Sequence, residues 1–344
     1  MIFRQERPPI STRVLQLDPS RIDATAIAEA AAFLCSGGLV AFPTETVYGL
    51  GANALDAKAV ARVYEAKGRP GRNPIIVHVP DISSAQSLVT CWPQVAQRLA
   101  ARFWPGPLTL VLPKSQLVPD VVTGGGLNVG LRVPAQPIAQ ALLRAANVPV
   151  AAPSANRSTY ISPTTAQHVL RGLDGRIDCL LDGGPTSAGI ESTVLDLTSN
   201  PARVLRPGPV SIEEVRACAG CTVMEASPIA TADVPLQSPG MMARHYAPKA
   251  TLLIAKDDGQ DEVRQLSGNG QRVGWLTFAS PSLNPAPDTD VIVMPARAQA
   301  YAARLYIVLH ELDEAKVDWI VVARVPDSPE WTAVRDRLAR AATA

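Results

Sequence analysis

Apolar residues recur along this chain with two alternating periods. Between Asp23 and Ser36 they fall three and four apart, placing Ile27, Ala30, Ala31 and Leu34 on one helical face. Gly37-Gly38 then ends the helix, because glycine takes the positive φ of a C-terminal cap at little cost. Leu39–Phe42 is apolar but too short for a helix and predicts a buried strand. Ala57–Ala66 returns to the helical period, with Val60, Val63 and Tyr64 inward, and Pro74–Val79 predicts a strand closed by Pro80. Further strands are expected at Leu108–Leu112, Val129–Val133, Val148–Ala152, Cys179–Leu181, Thr193–Leu197 and Val204–Leu205, with helices over 94–103, 136–146 and 164–171. Ser211 and Glu214 form a capping box, in which hydroxyl and carboxylate each satisfy a free amide, opening a helix to Ala219. Strands and helices mixed in this way predict an α/β class.

The periodicity lapses from Thr222 to Pro239, where Pro228, Pro235 and Pro239 sit among small polar residues, and this stretch predicts a linker. A second unit begins at Thr251. Strands at Leu252–Ile254, Val273–Thr277, Val291–Val293 and Trp319–Ala323 alternate with helices near 260–266, 298–315 and 331–342. That alternation predicts a small βαβ domain with a parallel sheet. The expected division is residues 1–221, a linker at 222–249, and a smaller domain at 250–344.

Composition narrows the function classes. At 344 residues with 47% hydrophobic and 18% charged residues, the chain has enough apolar content for two folded domains. A formal net charge of +1 gives no global field to draw nucleic acid or membrane, so any polyanion must be read locally. The five cysteines are odd in number and scattered, which predicts reduced thiols rather than a disulfide framework, and Cys218-Ala-Gly-Cys221 lacks the second pair or histidines a zinc site needs. Met1 to Arg13 is polar with no apolar core of a signal peptide, and no apolar run reaches the roughly 20 residues of a membrane span, so a cytoplasmic location is expected.

Candidate chemistry gathers at strand ends. Lys67, Arg69 and Arg72 crowd one turn, Arg132 lies in an otherwise apolar strand, and Arg206 ends another. A lysine or arginine in a turn is commonly just solvated, whereas a charge inside a strand is usually paired or functional. Thr44, Glu45 and Thr46 follow a strand, and Gly49 and Gly51 are expected to give tight turns and close approach of a ligand to the backbone. Ser154 and Asn156 also follow a strand, where ligands gather in open α/β sheets, and Gly124-Gly-Gly126 adds an amide-rich stretch. Alternation puts His78 on the face of Ile76, a position that suits a core histidine as well as a ligand. His245, between Arg244 and Tyr246, lies in a loop where packing inside a strand is no explanation. No GxSxG elbow, no HExxH and no Cys with a His/Asn signature occurs, so covalent nucleophilic catalysis has no support.

Taken together, eight stretches resemble the threonylcarbamoyl-AMP synthase family, built on the YrdC-type domain. They are Ala41–Gly51 (AFPTETVYGLG), Lys67–Pro70 (KGRP), Asn73–His78 (NPIIVH), Trp104–Thr109 (WPGPLT), Leu131–Pro134 (LRVP), Ala152–Asn156 (APSAN), Glu191–Val194 (ESTV) and Leu205–Gly208 (LRPG), in the family's order. The linker signature Pro239–Pro248 (PGMMARHYAP) and the smaller domain look like the longer, two-domain branch, although Ala243 stands where members often carry a larger residue.

The resemblance implies a YrdC-type twisted open mixed sheet with helices and a smaller C-terminal Rossmann-like α/β domain. The implied reaction joins L-threonine, bicarbonate or CO2, and ATP into L-threonylcarbamoyladenylate and pyrophosphate. Mg²⁺ is expected with ATP and no protein metal site is expected. The product is expected to pass to a downstream threonylcarbamoyl transferase complex that modifies tRNA beside the anticodon, with at most a weak direct tRNA contact and no membrane. Carried over by position, the threonine pocket would use Thr46, His78, Arg132, the Ala152 backbone and Ser192. ATP would meet Arg69, Asn73, Asn128, Ser154, Ser162 and Arg206, with His245 and Tyr246 acting from a linker that folds over it as a lid. Lys67, Arg69, Ser154 and Asn156 would assist at the phosphates. An RNA-binding module is the reading from another class, disfavoured by the near-neutral charge and the lack of an aromatic-basic stripe. Carbamoyl transfer of the hydrogenase-maturation kind would need a paired CxxC array that this chain lacks.

Overall fold

A computed structural model describes residues 11–225, 246–280 and 288–342. In the first unit the strands are β1 (Arg13–Gln16), β2 (Val40–Phe42), β3 (Gly49–Asn53), β4 (Val77–His78), β5 (Leu108–Pro113), β6 (Asn128–Arg132), β7 (Val150–Ala151), β8 (Cys179–Asp182), β9 (Thr193–Asp196), β10 (Ala202–Arg206) and β11 (Val223–Glu225). They join into one mixed sheet in the order β1-β8-β2-β3-β7-β4-β6-β5-β9-β10-β11. The second unit has β12 (Thr251–Ile254), β13 (Val273–Thr277), β14 (Thr289–Val293) and β15 (Trp319–Val322), in the order β12-β15-β13-β14 with every pairing parallel. This is the expected α/β class, a large mixed sheet with a small Rossmann-like partner.

Local rules account for most element ends. Asp23 caps the helix Ala24–Cys35 through its carboxylate, and Gly68 closes Ala57–Lys67 in the left-handed region. Ser211 and Glu214 form both halves of their capping box. Three stretches differ from expectation. Gly49 and Gly51 lie in β3 rather than in turns, because the strand packs so tightly that a Cβ on Gly51 would stand 2.7 Å from Val150 Cγ1. Strand β1 lies on the sheet edge, in a segment for which no element is expected. Strand β11 begins inside the expected linker and pairs in parallel with β10.

The core of the second unit does not stop at its own sheet. One apolar cluster runs from Leu305, Leu309, Ile320 and Leu338 to Val47, Ile161 and Ile190 of the first unit, with Tyr246 between them. The two units therefore share buried surface beside the segment that follows β2. No helix among the described residues is long and apolar enough to cross a membrane.

Candidate active site

Register brings the key cation and the key imidazole together. Strands β4 and β6 run in parallel with His78 opposite Arg132, and β7 adds Val150 on the other side of His78. Both side chains face a cavity lined by Thr44, Thr46, Ile76, His78, Arg132 and Ala152 at one end. Arg69, Ser154, Glu191, Ser192, Arg206 and Tyr246 line the remainder. Ile76 and His78 share the wall, as strand alternation requires. The cavity volume is about 50 Å³.

Arg132 is buried and held on three sides. Nη1 donates to Thr46 Oγ1 at 2.9 Å, Nε to the Gly106 carbonyl at 3.2 Å, and Nη2 meets Glu45 Oε1 at 2.7 Å. Thr46 is itself fixed by Thr44, the two hydroxyls standing 2.8 Å apart. His78 lies beside this cation. Burial, with Arg132 adding repulsion, pushes its pKa down to about 3, so the ring is a neutral imidazole. Its Nδ1 has no hydrogen-bond partner among the described residues. A buried polar atom of this kind normally finds a partner, which makes it suited to receive one from a ligand.

Ser192 links this end to the other. Its hydroxyl is 2.8 Å from Thr109 Oγ1, and Arg206 donates to it from Nη2 at 3.2 Å and to its carbonyl from Nε at 3.1 Å. Arg69 donates to the carbonyls of Asn73 and Pro74, and burial lowers its pKa to about 10, still cationic at neutral pH. Ser162 lies behind the wall, its hydroxyl donating at 2.5 Å to Glu191. Glu191 was visible only as the first residue of a short motif. Burial would raise its carboxyl, but Arg337 and Arg206 outweigh that and hold it below the usual carboxylate range.

Four further site expectations, besides Ser162, land off the lining. The Lys67 ammonium is buried and donates to the carbonyl of Ser154 at 2.6 Å and to that of Asn156, away from the cavity lining. Burial, with Arg69 and Arg157 nearby, pulls its pKa well below the ordinary lysine value. Asn156 accepts from Ser154 Oγ at 2.6 Å and donates to the carbonyls of Arg157 and Tyr160, so it shapes the loop rather than lining the cavity. Asn73 is buried under Arg69 and contributes its carbonyl there. Asn128 starts β6, four residues from Arg132, and its amide donates to Thr198 Oγ1 at 3.3 Å outside the cavity wall. His245 lies outside the described residues, whereas Tyr246 is buried in the wall.

No group of three or more His, Cys, Asp or Glu side chains suited to a metal ion occurs among the described residues. Glu191, the carboxylate lining the cavity, accepts donors on both oxygens. Its oxygens are engaged by protein donors rather than open to a cation.

Comparison with known proteins bears on the family of the whole chain. The family model described as "Telomere recombination", covering Sua5, YciO and YrdC proteins, matches residues 32–208. The model "Threonylcarbamoyl-AMP synthase, C-terminal domain" matches residues 210–343. The threonylcarbamoyl-AMP synthase of Pyrococcus abyssi is 42% identical over 93% of this chain and 95% of its own length. That of Bacillus subtilis is 44% identical over 92% of each. The crystal structure of P. abyssi Sua5 complexed with L-threonine superposes with a TM-score of 0.90 at 40% identity, covering 96% of this chain and 98% of that one. With two matched models spanning both units and full-length relatives above 40% identity, this chain belongs to the threonylcarbamoyl-AMP synthase family.

Proposed function

We propose that this protein is an L-threonylcarbamoyladenylate synthase, joining L-threonine, bicarbonate or CO2, and ATP, and releasing pyrophosphate. Its product would supply the threonylcarbamoyladenosine modification of tRNA through a downstream transferase complex. The observation that carries the reading is one continuous wall. Thr46, His78, Arg132, Ala152 and Ser192, assigned to threonine, line the same wall as Arg69, Ser154, Arg206 and Tyr246, assigned to ATP.

Chemistry follows from that wall. Arg132 is the partner for the threonine carboxylate, a planar fork already oriented by Thr46, Gly106 and Glu45. His78, neutral and open at Nδ1, accepts from the threonine amine or hydroxyl. A pKa of about 3 makes it a poor proton store, so it orients rather than titrates. The amine attacks the carbon of the carbonic species, forming the N–C bond. Starting from bicarbonate, water leaves; starting from CO2, the nitrogen loses a proton. An oxygen of the resulting N-carboxylate then attacks the α-phosphorus, and the bond to the pyrophosphate oxygen breaks. Charge develops on phosphate oxygens, where Arg69, Arg206 and the Ser154 hydroxyl can receive it. A magnesium ion bound to the phosphates would screen the same charge.

At about 50 Å³ the cavity is far below the roughly 300 Å³ at which small-molecule sites begin. A wall member that moved aside would enlarge it for ATP. Tyr246, carried on the segment that joins the two units, is the residue expected to do so.

The decisive assay is pyrophosphate release by the full chain. It should require ATP, L-threonine and bicarbonate together. Release that ignores threonine would remove the proposed substrate.

A further inference from the structure

The carboxylate in the nucleotide end of the cavity is controlled from the other unit. Glu191 Oε2 receives Arg337 Nε at 2.6 Å, and Tyr306 donates to the same carboxylate at 3.2 Å. Arg337 belongs to the last helix, Thr332–Ala342, and Tyr306 to the helix Ala298–Ala315. Both are fully buried, with Arg337 at 0% exposure. Arg337 also stands 5.2 Å from the Tyr246 ring centre, and its Nη1 pairs with Asp336 at 2.6 Å. The loop that carries Glu191 is fitted closely to this unit. Gly189 adopts φ +71, and a Cβ there would lie 2.5 Å from the Ala302 carbonyl.

These contacts bear on charge as well as packing. The cavity wall holds three cations, Arg69, Arg132 and Arg206, and Arg132 is already paired with Glu45. On the synthase reading, Glu191 shares its stretch of wall with Arg69, Ser154 and Arg206, the residues assigned to the phosphates of ATP. Left alone, its charge would oppose them in a low-dielectric setting. Arg337 cancels it, Tyr306 fixes its orientation, and Ser162 and Tyr246 are set in turn.

We propose that Arg337 and Tyr306 are positioning residues for the nucleotide half of the site, so that the C-terminal unit tunes ATP binding through Glu191. This rests on the synthase reading above. The test is steady-state pyrophosphate release by the full chain, varying ATP and threonine separately. Tyr306→Phe keeps the packing and removes one hydrogen bond. It should raise the KM for ATP by about 2- to 10-fold and leave that for threonine unchanged. Arg337→Gln should weaken kcat/KM for ATP by about 30-fold or more, since it strands a buried carboxylate. Adding Glu191→Gln to that variant should recover part of the loss. If Arg337→Gln does not fold, Tyr306→Phe alone decides. A lowered melting temperature with both KM values intact, or equal rises in both, would overturn the proposal. Wild-type release that does not need threonine would instead sink the synthase reading, before any variant is compared.

Discussion

The two ends of the cavity are built differently. The end proposed for threonine is assembled within one sheet: His78 and Arg132 are register partners on β4 and β6, and Thr46 and Ala152 follow β2 and β7 of the same sheet. Its orienting contacts come from Glu45 and Gly106, in the same unit. The end proposed for the nucleotide takes its cations from the first unit but leans on the second, through Arg337, Tyr306 and the buried Tyr246. The difference teaches that one pocket can have one half preorganised by strand register and the other by the seating of a second domain. The first half should respond to local changes alone. The second should respond to changes made far along the chain.

The strongest challenge to that contrast is Arg132→Ala. It removes the charge-assisted contact proposed for the threonine carboxylate, about 1.5–3 kcal/mol. It also leaves Glu45, 13% exposed in its side chain, without its cation. A stranded, largely buried carboxylate at the substrate's own anion site should push the total loss in threonine affinity to about 3–5 kcal/mol. Isothermal titration should show threonine binding lost and ATP binding nearly intact. Equal loss of both ligands would mean that the two ends are not separately organised.

Lys67→Met probes the loop between the ends. The ammonium joins the carbonyls of Ser154 and Asn156, which the thioether cannot do. Orphaning buried carbonyls costs about 1–3 kcal/mol, and chemical denaturation should register a stability loss of that size. Weaker ATP binding should follow, because Ser154 loses its support. Normal stability with ATP binding abolished would instead return Lys67 to direct phosphate contact.

Acid should loosen the seating of the second unit. His168 and His310 stack across the boundary at 3.8 Å, and Arg171 pairs with Glu314 beside them. Burial lowers both imidazoles, His168 to about 3 and His310 to about 4. A depressed histidine binds protons more readily in the unfolded chain. Its contribution is therefore complete above about pH 6.5 and is lost as pH falls toward 4 and then 3. The melting temperature should drop over that window, and His310→Gln should flatten the drop. A slope unaltered by the substitution would place the acid sensitivity elsewhere.

What the sequence made legible follows the same division. Arg132 stood out as a charge inside an apolar strand, and His78 shared the alternation of Ile76. Both signals are local, and both residues line the cavity. Lys67 and Asn156 also stood out, but as residue types at a loop. The carbonyls that claim the lysine lie 87 and 89 residues away, where no periodicity reaches. Arg337 gave no signal at all, because a charged residue in an amphipathic helix reads as solvated. Only the seating of the final helix buries it against Glu191, 146 residues earlier. Strand β3 was obscured for a related reason. Its glycines serve a close approach to Val150 and Phe42 made by the tertiary fold.

The smallest effect is expected at Asn128. Family position alone assigns it to ATP, yet its amide turns to Thr198 at 3.3 Å and the residue is absent from the cavity wall. A long, neutral and partly exposed hydrogen bond of this kind contributes at most about 0.5 kcal/mol. Asn128→Ala should therefore leave the KM values for ATP and threonine within about twofold of wild type. Its backbone is different, because β6 pairs Asn128 with Pro113 and carries the register that ends at Arg132. Asn128→Pro fixes φ at the first position of β6 and restricts Leu127 before it, which should lower that register's stability. Threonine affinity should then fall before ATP affinity does. If Asn128→Ala alone raised the KM for ATP tenfold, the nucleotide end would extend along β6, and the separation of the two halves would fail at that strand.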